Sequence, residues 1–216
     1  MQARFRAVFF DLDGTLADTL SLIYRAFNDA LTPVTGQTYA GPEIRSWFGP
    51  PDTQIIRKLL AEEHADGAIE RYMESYRRHH ADLVRVFPGI DRLLTDCHQA
   101  GARIAVITGK SRETAVVTLD ALGLSKDCDL LYGGDDVERQ KPDPMALELA
   151  LKEFSVDRDE AVMIGDAAAD VLAGKAAGVS TIGVLWGNPD HSQLLQSDPT
   201  WLVATVSELE PLLLTR

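Results

Sequence analysis

Two carboxylates, Asp11 and Asp13, follow directly on the apolar run Ala7-Val8-Phe9-Phe10, and Gly14 and Thr15 come next. Such a run reads as a strand buried on both faces. Acids at the end of a buried strand are costly unless a cation compensates them. A hard divalent ion such as Mg2+ is the usual compensator, because it prefers oxygen ligands. The carboxyl ends of parallel strands are also where open α/β sheets place their ligands. The stretch reads as a catalytic acid pair on a rigid platform.

The platform can be traced along the rest of the chain. Apolar runs at 103–108, 129–132, 161–166 and 181–186, with a short one at 201–204, predict further strands. They lack polar alternation and are separated by helical patterns, which indicates a parallel sheet covered on both faces. Polar residues recur where these strands end: Thr108, Gly134-Asp135 and Asp166. Those positions fall on one rim. Between the first strand and the rest, apolar stripes such as Ile55, Ile56, Leu59 and Leu60 predict only helices. The expected architecture is a Rossmann-like, doubly wound parallel sheet (residues 1–16 and 85–216) with an inserted all-helical cap (residues 17–84). The first cap helix is predicted over 18–31 and is stopped by Pro33 and Gly36. Another is predicted over 142–154, entered through Pro142 and Pro144.

Four motifs stand in order: Asp11-Leu12-Asp13-Gly14-Thr15, Thr108-Gly109-Lys110, Lys141-Pro142-Asp143-Pro144, and Gly165-Asp166 with Asp170 four residues on. Together they resemble the haloacid dehalogenase superfamily, in its branch of small-molecule phosphatases with a helical cap. The resemblance implies that Asp11 is a nucleophile carrying an aspartyl-phosphate. Asp13 is then the acid for the leaving alcohol and the base for water, and its backbone carbonyl is a metal ligand. The N–H groups of Leu12 and Asp13 would hold phosphate oxygens, helped by Thr108, Gly109 and Lys141. Asp11, Asp13 and Asp166 would bind Mg2+, with Asp170 in support. Taken singly, several of these residues read otherwise. A strand-ending Thr108 reads as a helix cap, Lys141 as a surface lysine, and Asp170 as an acid complementing a helix dipole.

Substrate choice is expected in the cap. Arg45 and the Gly49-Pro50-Pro51 turn are the candidates there, the turn resembling that of phosphoglycolate phosphatase-like members. An arginine at that place suits a substrate carboxylate, although a plain surface arginine reads equally well. Lys110 and the five histidines, His79 and His80 among them, read as surface residues. The implied activity is a Mg2+-dependent phosphomonoester hydrolase acting on a small phosphorylated metabolite, with phosphoglycolate first. A sugar phosphomutase is the alternative, because it uses the same acid pair. A non-enzymatic phospho-aspartate signalling module is a third reading, but such modules are shorter and lack a helical insert.

Composition narrows the partners. The 216 residues carry a net charge of −12, which argues against nucleic acid. It also means that a phosphate site must be built locally from metal, lysine and N–H groups. No run reaches the length of a membrane span. Cys97 and Cys128 show no metal spacing and read as reduced thiols of a cytoplasmic protein. The first residues lack the apolar segment of a secretory signal. Oligomeric state leaves no mark in the sequence.

Overall fold

The computed structural model describes residues 1–215. Its strands and helices run β1 (Gln2–Ala3), β2 (Ala7–Phe10), β3 (Ala17–Asp18), α1 (Leu20–Thr35), α2 (Gly41–Arg45), α3 (Asp52–Leu59), α4 (Glu62–Leu83), β4 (Arg85–Val86), α5 (Ile90–Gln99), β5 (Arg103–Ile107), α6 (Arg112–Ala121), β6 (Leu130–Tyr132), α7 (Met145–Phe154), β7 (Ala161–Gly165), α8 (Ala168–Ala177), β8 (Ser180–Val184), α9 (Ser192–Gln196), β9 (Trp201–Val203), α10 (Val206–Leu213) and β10 (Leu214–Thr215).

Six strands form one sheet in the order β6-β5-β2-β7-β8-β9, and every pairing is parallel. The chain enters this sheet at β2, builds outward through β5 and β6, then returns to the other side of β2 for β7, β8 and β9. The topological switch point therefore lies at β2, where a crevice opens at the carboxyl ends. Alternate residues of each strand feed the two faces. Val8, Phe10, Ile104 and Val106 pack with α5, α6 and α10. Phe9, Ala105, Ile107 and Met163 pack with α7 and α8. Burial on both faces explains why these strands read as unbroken apolar runs.

Helices α1 to α4 form a helical insert with a cluster of their own around Phe27, Ile44, Ile56, Tyr72 and Tyr76. The chain enters and leaves this insert through an antiparallel ribbon in which Ala17 pairs with Val86 and Asp18 with Arg85. That ribbon delays α1 to Leu20, two residues later than its apolar pattern suggests. Pro33 does not stop α1. It lacks an N–H in the last turn only, and the helix runs on to Thr35 and ends where Gly36 takes a positive φ of 69°. Helix α7 begins at Met145 rather than Pro142, because the Asp143 side chain accepts the Met145 N–H at 3.0 Å and closes a turn first.

Phe9 sits at the centre of β2, fully buried, with its ring 6.3 Å from that of Phe154 on α7. Truncating it leaves a cavity that the surrounding parallel strands cannot collapse into. Phe9→Ala is expected to cost about 3–5 kcal/mol, read as a lowered urea midpoint with an unchanged slope.

Candidate functional site

The rim of the sheet is built from three adjacent strand ends. The Asp11 N–H donates to the Ile164 carbonyl at 2.9 Å, so the ladder between β2 and β7 continues one residue past the strand. Leu12 turns its side chain into the core, while its carbonyl accepts the N–H groups of Thr15, Leu16 and Ala17. This tight loop leaves Asp11 and Asp13 facing a cavity of about 600 Å3. Gly14 makes the loop possible: its φ is +83°, and a Cβ there would lie 2.3 Å from Asp166 Oδ2. Among the described residues, the N–H groups of Leu12, Asp13 and Gly109 have no protein acceptor. All three belong to the segments expected to hold an anion.

Lys141 reaches the rim from the loop before α7. Its Nζ donates to Asp11 Oδ1 at 2.7 Å, to the Ile107 carbonyl at 2.8 Å and to Asp170 Oδ1 at 2.5 Å. It is thus a pairing lysine, not a surface one. Burial by itself draws an ammonium down, but Asp11 and Asp170 outweigh it and hold Lys141 above the usual range. Asp170 occupies the first turn of α8, where its Oδ2 accepts the Ala167 N–H at 3.0 Å. It therefore complements the helix end and binds the lysine at once. Asp11, Asp166 and Asp170 each offer an oxygen within 4.8 Å of the others.

Three buried acids and one lysine leave an excess of negative charge. Burial, opposed by Lys141 and reinforced by Asp170 and Asp13, raises the Asp11 carboxyl to about 7. Burial, then the charges of Asp11 and Asp170, push Asp166 up as well. Two buried carboxyls, Asp11 and Asp166, that resist ionisation by themselves fit a hard divalent cation.

Thr108 directly follows β5 and is buried, with its Oγ1 accepting the Lys110 N–H at 3.2 Å. It does not cap α6, whose N-cap is Ser111. Gly109 allows a close approach, since a Cβ there would lie 3.1 Å from the Gly49 carbonyl of the helical insert. Arg45 and Gly49 line the cavity. The Arg45 guanidinium donates to Asn188 Oδ1 at 2.6 Å and to Tyr24 Oη at 3.1 Å, so it bridges the insert and the loop after β8.

Two expectations are corrected. Lys110 is not at the surface: its side chain is 3% exposed, and its Nζ lies 3.3 Å from Asp13 Oδ1 and 2.9 Å from Tyr76 Oη. His80 is buried too, packed against the Tyr76 ring with Nε2 3.4 Å from Thr118 Oγ1. Both are covered by contact between α4 and α6, which neither helix reveals in isolation. Asp52, Tyr76 and Asn188 also escaped notice. Only the place of Lys110, two residues beyond a strand end, offered a signal.

The raised Asp11 carboxyl makes stability depend on pH. Between about 4 and 7 the folded chain retains a proton that the unfolded chain, with an ordinary value of 3.8, has released. Folding stability therefore falls as pH rises through that interval. In a chelating buffer, Asp11→Asn is expected to melt about 5 °C above wild type at pH 8 and within about 1 °C of it at pH 4.5.

The haloacid dehalogenase-like hydrolase family matches residues 8–184. Pyrophosphatase PpaX of Halalkalibacterium halodurans is 32% identical over 202 residues, covering 94% of each chain. Phosphoglycolate phosphatase 1 of Pseudomonas aeruginosa is 33% identical over 216 residues, covering 95% of this chain and 79% of its own length. The crystal structure of a predicted phosphoglycolate phosphatase from Haemophilus somnus superimposes with a TM-score of 0.88 at 21% identity, covering 97% of this chain and 98% of that one, and so shares the fold. A rim of acids and one lysine on this sheet, matched in order along most of the sequence, makes the chain a member of the haloacid dehalogenase-like hydrolase family.

Proposed function

We propose that this chain is a Mg2+-dependent phosphomonoester hydrolase that works through an aspartyl-phosphate on Asp11. The observation that carries this reading is the set of three hydrogen bonds that Lys141 Nζ donates to Asp11, Asp170 and the Ile107 carbonyl at the switch point of the sheet. It holds a carboxylate in one orientation beside the N–H groups of Leu12, Asp13 and Gly109. An Asp11 oxygen attacks phosphorus as the ester P–O bond breaks, and Asp13 gives its proton to the departing alcohol. Asp13 then takes a proton from water, the water oxygen bonds to phosphorus, and the P–O bond to Asp11 breaks. Lys141, Thr108 and the free N–H groups orient the phosphoryl oxygens and spread their charge.

Asp11, the Asp13 carbonyl and Asp166 would hold Mg2+, which supplies charge neutralisation between the anionic substrate and the acids. Asp170 suits a supporting place, because both its oxygens are already engaged, by Lys141 and by the Ala167 N–H. Residues 17–84 act as a cap that closes the cavity over the rim and keeps bulk water away. Their wall is largely apolar (Leu20, Ile23, Phe27, Ile55), and Arg45 is its guanidinium. A substrate with a second anion near the phosphate matches that arrangement. Phosphoglycolate is the first candidate, in keeping with one named relative, and pyrophosphate, an anhydride whose leaving group is phosphate instead of an alcohol, is the second.

Phosphate release from phosphoglycolate is expected to require Mg2+ and to fall about a thousandfold or more in Asp11→Asn. Wild-type turnover by that variant would reject the nucleophile assignment, and an isomeric sugar phosphate formed without free phosphate would favour a mutase. Arg45→Ala is expected to raise KM for phosphoglycolate about tenfold while leaving KM for a simple alkyl phosphate, which lacks the carboxylate, unchanged. Equal KM shifts for both esters would remove Arg45 from substrate recognition.

A further inference from the structure

The start of α6 turns a row of polar side chains toward the helical insert. Lys110, Thr114 and Thr118 are spaced four residues apart, and all three are buried. Each has a partner on the insert. Lys110 Nζ lies 2.9 Å from Tyr76 Oη and 4.6 Å from the centre of its ring. Thr114 Oγ1 donates to Asp52 Oδ2 at 2.7 Å, and Thr118 Oγ1 lies 2.8 Å from Tyr76 Oη. The row is therefore a buried polar seam between α6 on one side and α3 and α4 on the other. Such a seam tolerates little slippage, because every displaced partner leaves a buried polar group unpaired.

Lys110 is the one member of the row that also touches the acid pair. Its Nζ is 3.3 Å from Asp13 Oδ1, and the Thr19 hydroxyl donates to that same oxygen at 2.5 Å. Asp13 is pinned by one oxygen from two sides. Among the described residues, its Oδ2 has no protein partner, and Asp13 lines the cavity. Lys110 has little freedom to hold anything else. Its side chain is enclosed, and its anchor on the insert is the Tyr76 hydroxyl.

We propose that Lys110 is a positioning residue for Asp13. By tying Oδ1 to Tyr76 of α4, it leaves Oδ2 aimed at the oxygen of the departing alcohol, and it does so while α4 is seated on α6. The inference rests on Asp13 serving as the acid in the reading above. Its physical content is orientation: a proton donor misplaced by about 1 Å loses much of its effect.

An orientation role predicts a loss that grows with the basicity of the leaving group, since an acidic phenol departs without help and an alkyl alcohol does not. The experiment measures alcohol release in the first turnover, with Mg2+ present, for p-nitrophenyl, phenyl and simple alkyl phosphates. Lys110→Met is expected to slow p-nitrophenol release less than about threefold and alkyl alcohol release more than about thirtyfold. Tyr76→Phe, which removes one hydroxyl and keeps the ring, is expected to tilt the series in the same direction by about three- to tenfold; it also serves if Lys110→Met folds poorly. A loss equal across all esters in both variants, or no loss in either, overturns the inference. Asp13→Asn separates the two layers. If it leaves the series as flat as wild type, the reading of Asp13 as the acid has failed. If it steepens the series and neither Lys110→Met nor Tyr76→Phe does, the positioning role alone has failed.

Discussion

Negative charge concentrated at the carboxyl ends of parallel strands is the constraint around which this molecule is organised. Asp11, Asp13, Asp166 and Asp170 converge on one rim, and the first, third and fourth are buried. Water cannot dissipate that charge, so the chain supplies two enclosed ammonium groups. Lys141 is clamped between Asp11 and Asp170, and Lys110 lies against Asp13. Lys110 arrives from the loop after β5 and Lys141 from the loop after β6, both on the same side of the central strand. Even so, burial, reinforced by the charges of Asp170 and Asp13, raises the Asp11 carboxyl to about 7. The excess of negative charge suits a divalent cation, and it costs the fold some stability.

The sheet was legible because its physics is local. Ala7-Val8-Phe9-Phe10 and Ala161-Val162-Met163-Ile164 are continuous apolar runs, and a strand covered on both faces needs little else. The acid pair was legible for the complementary reason, since carboxylates against such a run demand compensation. What escaped was set by contacts between distant segments. Lys110 looks like any lysine until Tyr76, 34 residues before it, and Asp13 close around it. Arg45 finds Asn188 across 143 residues. The start of α7 depended on one side chain, Asp143, competing for the Met145 N–H. The two-residue strands β3 and β4 are too short to carry any periodic pattern.

The two lysines divide the labour by geometry rather than by charge. Lys141 bonds only to residues of the sheet, its loops and α8, and its position does not depend on the helical insert. Lys110 draws on both, so the surroundings of Asp13 respond to the insert while those of Asp11 do not. If Asp11 and Asp13 act as proposed, the sheet would set the place of one and the insert the place of the other. The division also suits a family whose members include relatives named phosphoglycolate phosphatase and pyrophosphatase.

The ribbon of Ala17-Asp18 and Arg85-Val86 has a mechanical meaning. Because the two connections are hydrogen-bonded side by side, neither can lengthen or slide without the other. A paired ribbon resists shear along its axis but yields to twist. A swivel of the helices above it would have to strain the Arg45–Asn188 bridge at the cavity mouth and the seam along α6 together.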